Sequence, residues 1–304
     1  MRGTLQFDIY IQRTEGIFNK LFNKRDMLDQ ERIEEYFKKG VNDLYVKKED
    51  YRKYLFFAEK VAKQILDDPK GSNAKDMAVV ISDMINLCML EVMVNIQIDR
   101  KSMETSSDTI IGCVRILEKE PKEMIRVFKL MLRHPYMLRH SISTALFSVL
   151  LAEKAQLGSE KSLTLVGMGA LLHDLGMSQL AFDAETKEEL TALEWKEVKQ
   201  HSELGKRLLD GVRGVSSEVK AIVLQHHEQE NGNGYPNGLR GNQIYAPAKI
   251  VAVADAFSAL VSKRPFRSRA FEPLDAIKVM REDRGKYDPV LIDLMSDLFV
   301  RLKS

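Results

Sequence analysis

A chain of 304 residues with 44% hydrophobic and 30% charged side chains is long enough for two globular domains that each bury a core. The near balance of 46 Lys and Arg against 44 Asp and Glu leaves no electrostatic footprint for a nucleic-acid backbone, and Cys88 and Cys113 make neither a metal-binding spacing nor a disulfide framework. No apolar run reaches the roughly 20 residues that cross a bilayer, and the opening MRGTLQFDIYIQRTEG carries charges where a secretory signal needs apolar residues, so a cytoplasmic protein without a membrane partner is expected.

The alternation over 7–11 (FDIYI) predicts a strand, with 16–22 (GIFNKLF) as its partner. Asp29 is placed to cap an amphipathic helix that ends near Gly40, followed by a short strand over 43–46. Asp50 is placed to cap a second helix from Tyr51 to about Leu66, and 68–73 (DDPKGSN) is a breaker cluster. A long helix is expected over 75–102 and a shorter one over 107–119. Beyond residue 123 the periodicity is almost purely helical, with segments near 123–133, 138–157, 160–173, 192–210, 215–228, 246–262, 273–282 and 288–302. The expected class is mainly α, with a small N-terminal part of α/β-plus-helical character. The expected boundary falls between 103 and 130, giving a regulatory domain over 1–120 and a second domain over 121–304. One loop, 231–242 (NGNGYPNGLRGN), is too long for a simple turn, and long loops in compact domains are more often functional than idle.

Of six histidines, five fall in suggestive contexts: His140, His173, His201, His226 and His227, with His134 apart. Asp174 follows the apolar run Ala170-Leu-Leu, and Asp255 interrupts the apolar helix IVAVADAFSAL over 250–260. An ionised carboxylate in such a place costs several kcal/mol unless it is paired or bound to a cation. Neither aspartate has an Arg or Lys within one helical turn. A metal ion answers both, and neutral imidazoles are its natural co-ligands. Neighbouring positions on a helix point about 100° apart, so the rings of His226 and His227 converge only on something close to the helix axis. Five imidazoles and two carboxylates exceed what one ion with an open position needs, but they suit two.

On these residues the chain from about 130 to 300 resembles the HD-GYP domain, a helical HD-superfamily phosphohydrolase. The matching motifs are His140-Ser141, His173-Asp174-Leu-Gly176, His201 with Gly205, and His226-His227-Glu228. They continue with Gly234-Tyr235-Pro236, Gly238-Leu239 with Gly241, Ala252-Val-Ala-Asp255 and Arg264-Pro-Phe-Arg267. The resemblance implies an HD-superfamily helical bundle over 121–304 that hydrolyses the bacterial second messenger cyclic di-GMP to pGpG or GMP. It implies one metal held by His140, His173, Asp174 and Asp255, with Asp174 bridging to a second held by His201, His226 and His227. Asp174 and Asp255 are thereby the implied catalytic residues, and a metal-bridging hydroxide is the implied nucleophile. Iron is the expected metal, with manganese, cobalt, nickel or zinc as alternatives. Arg264, Arg267, Gly234, Tyr235 and Pro236 are the implied substrate contacts, and the GYP loop is the implied contact for signalling partners such as GGDEF-domain proteins.

The chain departs from the family pattern at several positions. Met177 stands where the family carries a lysine able to meet the substrate phosphate, so slow turnover is expected. The alternative is a metal-bearing cyclic di-GMP sensor or interaction module. Tyr136 stands where three-metal members carry Glu, so two metals are expected. Ser258 and Asn231 each stand where Asp is common, and Phe266 where Tyr is common.

Overall fold

Leu5, Phe7, Ile9 and Ile11 are all buried, the every-second-residue pattern of a strand with one face on a core. The computed structural model describes residues 4–57 and 60, except 15, 28, 42, 52 and 55; Ser106 and Ile110; and 136–300, except 158, 183, 185, 186, 188 and 263–268. The chain divides into two compact units, Met1–Asn73 and Ala74–Ser304. The boundary expected between 103 and 130 lies outside the described residues apart from Ser106 and Ile110, as do the helices expected over 75–102, 107–119 and 123–133.

In the first unit β1 (Ile9–Thr14) pairs antiparallel with β2 (Ile17–Phe22), in a register that sets Ile9 against Phe22. Asp29 caps α1 (Gln30–Lys38) by accepting from the Arg32 N–H at 3.1 Å. Ile33, Tyr36, Val46, Tyr54 and Phe57 pack against the cluster of Leu5, Phe7, Ile9, Ile11, Leu21 and Phe22. The strand expected over 43–46 is only a single bridge between Tyr45 and Tyr10, because a 3-10 turn (Lys48–Asp50) follows almost at once. Asp50 closes that turn instead of capping the helix, and helical backbone continues from Tyr51.

In the second unit α2 (Tyr136–Lys154) and α3 (Glu160–Leu172) pack against each other and against α7 (Ala246–Leu260). Helix α7 buries Ala248, Ile250, Val251, Ala252, Val253, Ala254 and Phe257, so it is apolar on most sides and runs through the core. Around it stand α6 (Ser217–Gln225), α8 (Pro273–Glu282) and α9 (Pro289–Val300). Ser159 and Ser216 cap α3 and α6 by accepting the N–H groups of Ser162 and Val219.

The single helix expected over 192–210 is two, α4 (Ala192–Val198) and α5 (His201–Asp210). The Gln200 N–H reaches only three residues back, to the Glu197 carbonyl, and the Val198 carbonyl accepts from the ring of His201. A side chain has taken the place of the helical ladder, which ends the helix. Between α3 and α4 a 3-10 turn (Leu175–Gln179) lies against the start of α5. A Cβ on Gly176 would run into the His201 carbonyl and the backbone of Gly205, so only glycine permits that approach. Among the described residues no helix is long and apolar enough to cross a membrane.

Candidate metal centre

The seven residues expected to bind metal all come to one end of the second unit, from two kinds of position. His140 and Asp255 project from within α2 and α7. His173 is the C-cap of α3 with Asp174 next to it, His201 opens α5, and His226 is the C-cap of α6 with His227 next. The His226-His227 pair therefore does not sit inside a helix as expected. The helix has ended at Gln225, and the turn lets the two rings approach to 4.1 Å between centroids.

Asp174 stands at the middle of the cluster. Its Oδ2 is 3.1 Å from His173 Nε2 and 3.7 Å from His140 Nε2, while its Oδ1 is 3.4 Å from His201 Nε2. Asp255 Oδ1 lies 2.9 Å from His140 Nε2 and 3.8 Å from His173 Nε2. Two sets of donor atoms lie within 4.8 Å of one another: Asp174, His201, His226 and His227 form one, and His140, His173 and Asp174 the other. Asp174 belongs to both, and each set could hold a divalent ion.

Hydrogen bonds at the far side of each ring decide what the near side offers. His173, His201 and His226 donate Nδ1–H to the carbonyls of Ala170, Val198 and Val223 at 2.7, 2.7 and 2.8 Å. Each of these carbonyls lies in the last turn of a helix, where the ladder leaves acceptors over. With Nδ1 engaged in this way, only Nε2 of each ring is left to face the cluster. His201 Nε2 and His226 Nε2 face each other at 3.2 Å, a contact that needs a proton or a metal ion between the two nitrogens once both Nδ1 atoms are engaged. Burial, then the neighbouring imidazoles, hold His226 well below the usual histidine range, and burial with His201 pushes His227 down to about 3. Neither takes a proton at neutral pH.

At His173 burial opposes the charged form, but Asp174 and then Asp255 lift its pKa to about 9. Its Nε2 is buried and makes no well-aligned hydrogen bond. Burial raises the carboxyls of Asp174 and Asp255, yet the surrounding imidazoles hold both well below the usual carboxylate range. Two anionic carboxylates among neutral His226 and His227 fit bound cations. His140 lies within α2, and its Nδ1 meets Ser258 Oγ at 3.3 Å.

The 231–242 loop closes over this cluster. The Tyr235 ring lies over His227 at 4.7 Å and edge-on to His201 at 6.3 Å, with Lys199 Nζ 5.7 Å from its centroid. Burial first, then the two aspartates, raise the Tyr235 phenol far above its usual value, so it stays neutral. The Tyr235–Pro236 peptide is cis. At Gly234 a Cβ would collide with the backbone of His227, Glu228 and Gln229. Glu228, whose role the sequence reading left unassigned, is buried and accepts the N–H groups of Asn237 and Leu239 at 2.7 and 2.8 Å. Its signal was a charged residue directly after two candidate ligands. The loop is also tied to the segment before α9, where the Glu230 and Asn231 N–H groups reach the Lys286 and Gly285 carbonyls.

A cavity of about 630 Å³ opens at the cluster, lined in addition by Met177, Lys187, Leu190, Trp195, Lys286 and Tyr287. Met177 thus does face the cavity, whereas Lys187, Trp195 and Lys286 were not singled out from sequence. Gly234 and Pro236 lie in the closing loop beside Tyr235. Arg264, Phe266 and Arg267 lie outside the described residues, as do His134 and the side chain of Tyr136.

The profile of the HD domain family matches residues 127–291. A cyclic di-GMP phosphodiesterase of Pseudomonas aeruginosa is 31% identical over 185 residues, covering 60% of this chain and 44% of that protein. The cyclic di-GMP phosphodiesterase response regulator RpfG of Xanthomonas campestris is 38% identical over 144 residues, covering 46% and 38%. A 3'3'-cGAMP-specific phosphodiesterase of Vibrio cholerae is 32% identical over 155 residues, covering 50% and 32%. The chain spans less than half the length of each of these curated relatives. A solved HDG"Y"P protein from Bdellovibrio bacteriovorus shares the fold, with a TM-score of 0.69 at 21% identity over 98% of this chain and 95% of that one. The mainly helical fold and the family resemblance read from the motifs are both borne out.

Proposed function

This chain belongs to the HD domain family, and on that premise we propose that it is a phosphodiesterase that opens cyclic di-GMP at a centre of two divalent ions. The observation that carries the reading is that His201 Nε2 and His226 Nε2 face each other 3.2 Å apart with both Nδ1 atoms engaged elsewhere, beside an Asp174 common to both donor sets. His140, His173, Asp174 and Asp255 would hold one ion, and Asp174 with His201, His226 and His227 would hold the other. Their mixed nitrogen and oxygen donors suit iron, and also manganese, cobalt, nickel or zinc. Bound ions supply water of lowered pKa and positive charge for the phosphoryl oxygens.

The chain's own residues prepare the reaction. The helix-end carbonyls keep three imidazoles in the tautomer that turns Nε2 inward. Tyr235 covers one face of His227 and keeps water from it. Lys187 and Lys286 are the cationic side chains lining the cavity among the described residues, and Arg264 and Arg267 are proposed to meet the phosphates. Water attacks phosphorus, the P–O3' bond breaks, the 3' oxygen takes a proton, and linear pGpG results. A second hydrolysis gives GMP. The names of the relatives support this substrate class.

Met177, a thioether on the cavity wall, supports a second reading: a metal-bearing protein that binds cyclic di-GMP with little turnover. Protein purified with iron or manganese supplied, analysed for metal and assayed with cyclic di-GMP, 3'3'-cGAMP and linear pGpG, separates the two. Two ions per chain and release of pGpG or GMP are expected. Tight binding without product favours the second reading, and neither binding nor product with any of the three sinks both.

A further inference from the structure

The chain's single tryptophan stands on α4 at the rim of the cavity, 51% exposed. The other two large aromatic rings on the cavity wall are already covered. Tyr235 has His227 and Lys199 over it, and Tyr287 has Lys286 over it at 5.2 Å. Among the described residues no ring and no cation covers the indole of Trp195. About half of the indole is left to solvent beside a polar cluster, although burying such a ring is what normally stabilises a fold.

Its position is nevertheless tightly set. Thr191 and Glu194 form a reciprocal capping box at the start of α4, and Lys187 pairs with Glu194. At the other end of α4 the Val198 carbonyl holds the His201 ring at 2.7 Å. Trp195 and Val198 are three residues apart, just under one helical turn. One turn of helix and one hydrogen bond therefore connect the indole to a candidate metal ligand. The cavity volume, about 630 Å³, lies within the roughly 300–1,000 Å³ of small-ligand sites.

We infer that Trp195 is the platform on which one purine of a cyclic dinucleotide stacks while a phosphodiester lies at the histidine and aspartate cluster. The inference rests on the proposed function and adds to it a base-recognising side chain. Stacking is tolerant of base identity, because every purine has a π-face. This predicts similar use of the platform by cyclic di-GMP and 3'3'-cGAMP.

The test uses the full metal-loaded protein. As the chain has one tryptophan, its emission reports on this residue alone, and cyclic di-GMP is expected to quench it saturably. Trp195→Ala is expected to raise KM and Kd for cyclic di-GMP roughly 5- to 100-fold, with kcat and metal content unchanged. Trp195→Phe is expected to recover most of the loss. A merely structural role would instead lower kcat and metal content together, and that result overturns the inference. If the wild-type protein cleaves cyclic di-GMP and Trp195→Ala binds it as tightly, the inference alone falls. If the wild-type protein neither binds nor cleaves it, the proposed function falls and Trp195 as platform falls with it.

Discussion

His140 and Asp255 rise from within helices, whereas His173, His201 and His226 stand where helices stop or start, and different physics aims the two sets. At a helix end the last carbonyls lack ladder partners, so each ring finds an acceptor in the backbone three residues back, at 2.7 to 2.8 Å. Inside a helix the carbonyls serve the ladder, and within α2 His140 Nδ1 meets a side chain from another helix, Ser258, at a longer 3.3 Å. Packing does the rest there, since Ser141, Ile142, Ala252 and Ala254 are all buried. Helix ends thus orient ligands by backbone geometry, and helix interiors need a chosen partner residue.

Substitutions can break this comparison. The largest effect is expected at Asp174, the donor common to both sets. Asp174→Ala should empty both and lower turnover on the order of 10³-fold or more, whereas His226→Ala should empty only the set of His201, His226 and His227. Elemental analysis with anomalous scattering reads the difference, and retention of both ions without Asp174 would refute the shared role. Next in size is Met177→Lys, in the 3-10 turn directly after Asp174. An added ammonium at the cavity wall should raise kcat for cyclic di-GMP by up to about 10²–10³ with metal content unchanged. A flat rate in fully metallated protein would show that charge at this position is not what limits turnover.

How much of this was legible beforehand depended on the range of the interaction. The seven candidate ligands stood out because carboxylates in apolar helices and a His-His pair demand an explanation within a few residues. The hairpin and the Asp29 cap were legible for the same local reason. The break between α4 and α5 was not, because apolar periodicity runs through 192–210 and the interruption comes from one imidazole taking one carbonyl. Glu228 was quoted in a motif but its task was hidden, since its acceptors serve N–H groups nine and eleven residues further on. Trp195 and Lys286 reach one cavity from α4 and the turn before α9, a meeting no local pattern announces.

Two smaller effects sharpen the contrast. Ser258→Ala removes the hydroxyl that meets His140 Nδ1 and should weaken metal affinity of the set that contains His140 and His173 about 10- to 100-fold, the usual cost of losing such support. Titrations that find the set of His201, His226 and His227 weakened instead would contradict the assignment. The smallest effect concerns acid. Lys187, then the Thr191 backbone and hydroxyl, hold the Glu194 carboxyl down to about 2, from an ordinary 4.5. A depressed carboxyl adds stability above its ordinary value and loses it as pH falls through about 2. Because α4 orients His201 at its far end, Trp195 emission should stay constant from pH 5 to near 3 and change only below. A transition centred near 4.5 would show that the capping box does not hold.

The separation of 118 positions from His140 to Ser258 also says something about time. Closing a loop of that length carries an entropic cost that must be met before the contacts it brings together can return any stability. Helices α2 and α3 are neighbours in the chain and can dock early, but His140 has neither Asp255 nor Ser258 beside it until α7 arrives. Strong ion binding should therefore be among the last events of refolding. Stopped-flow uptake of metal would then lag behind the recovery of helical signal, and the ion would lock a bundle that has already closed.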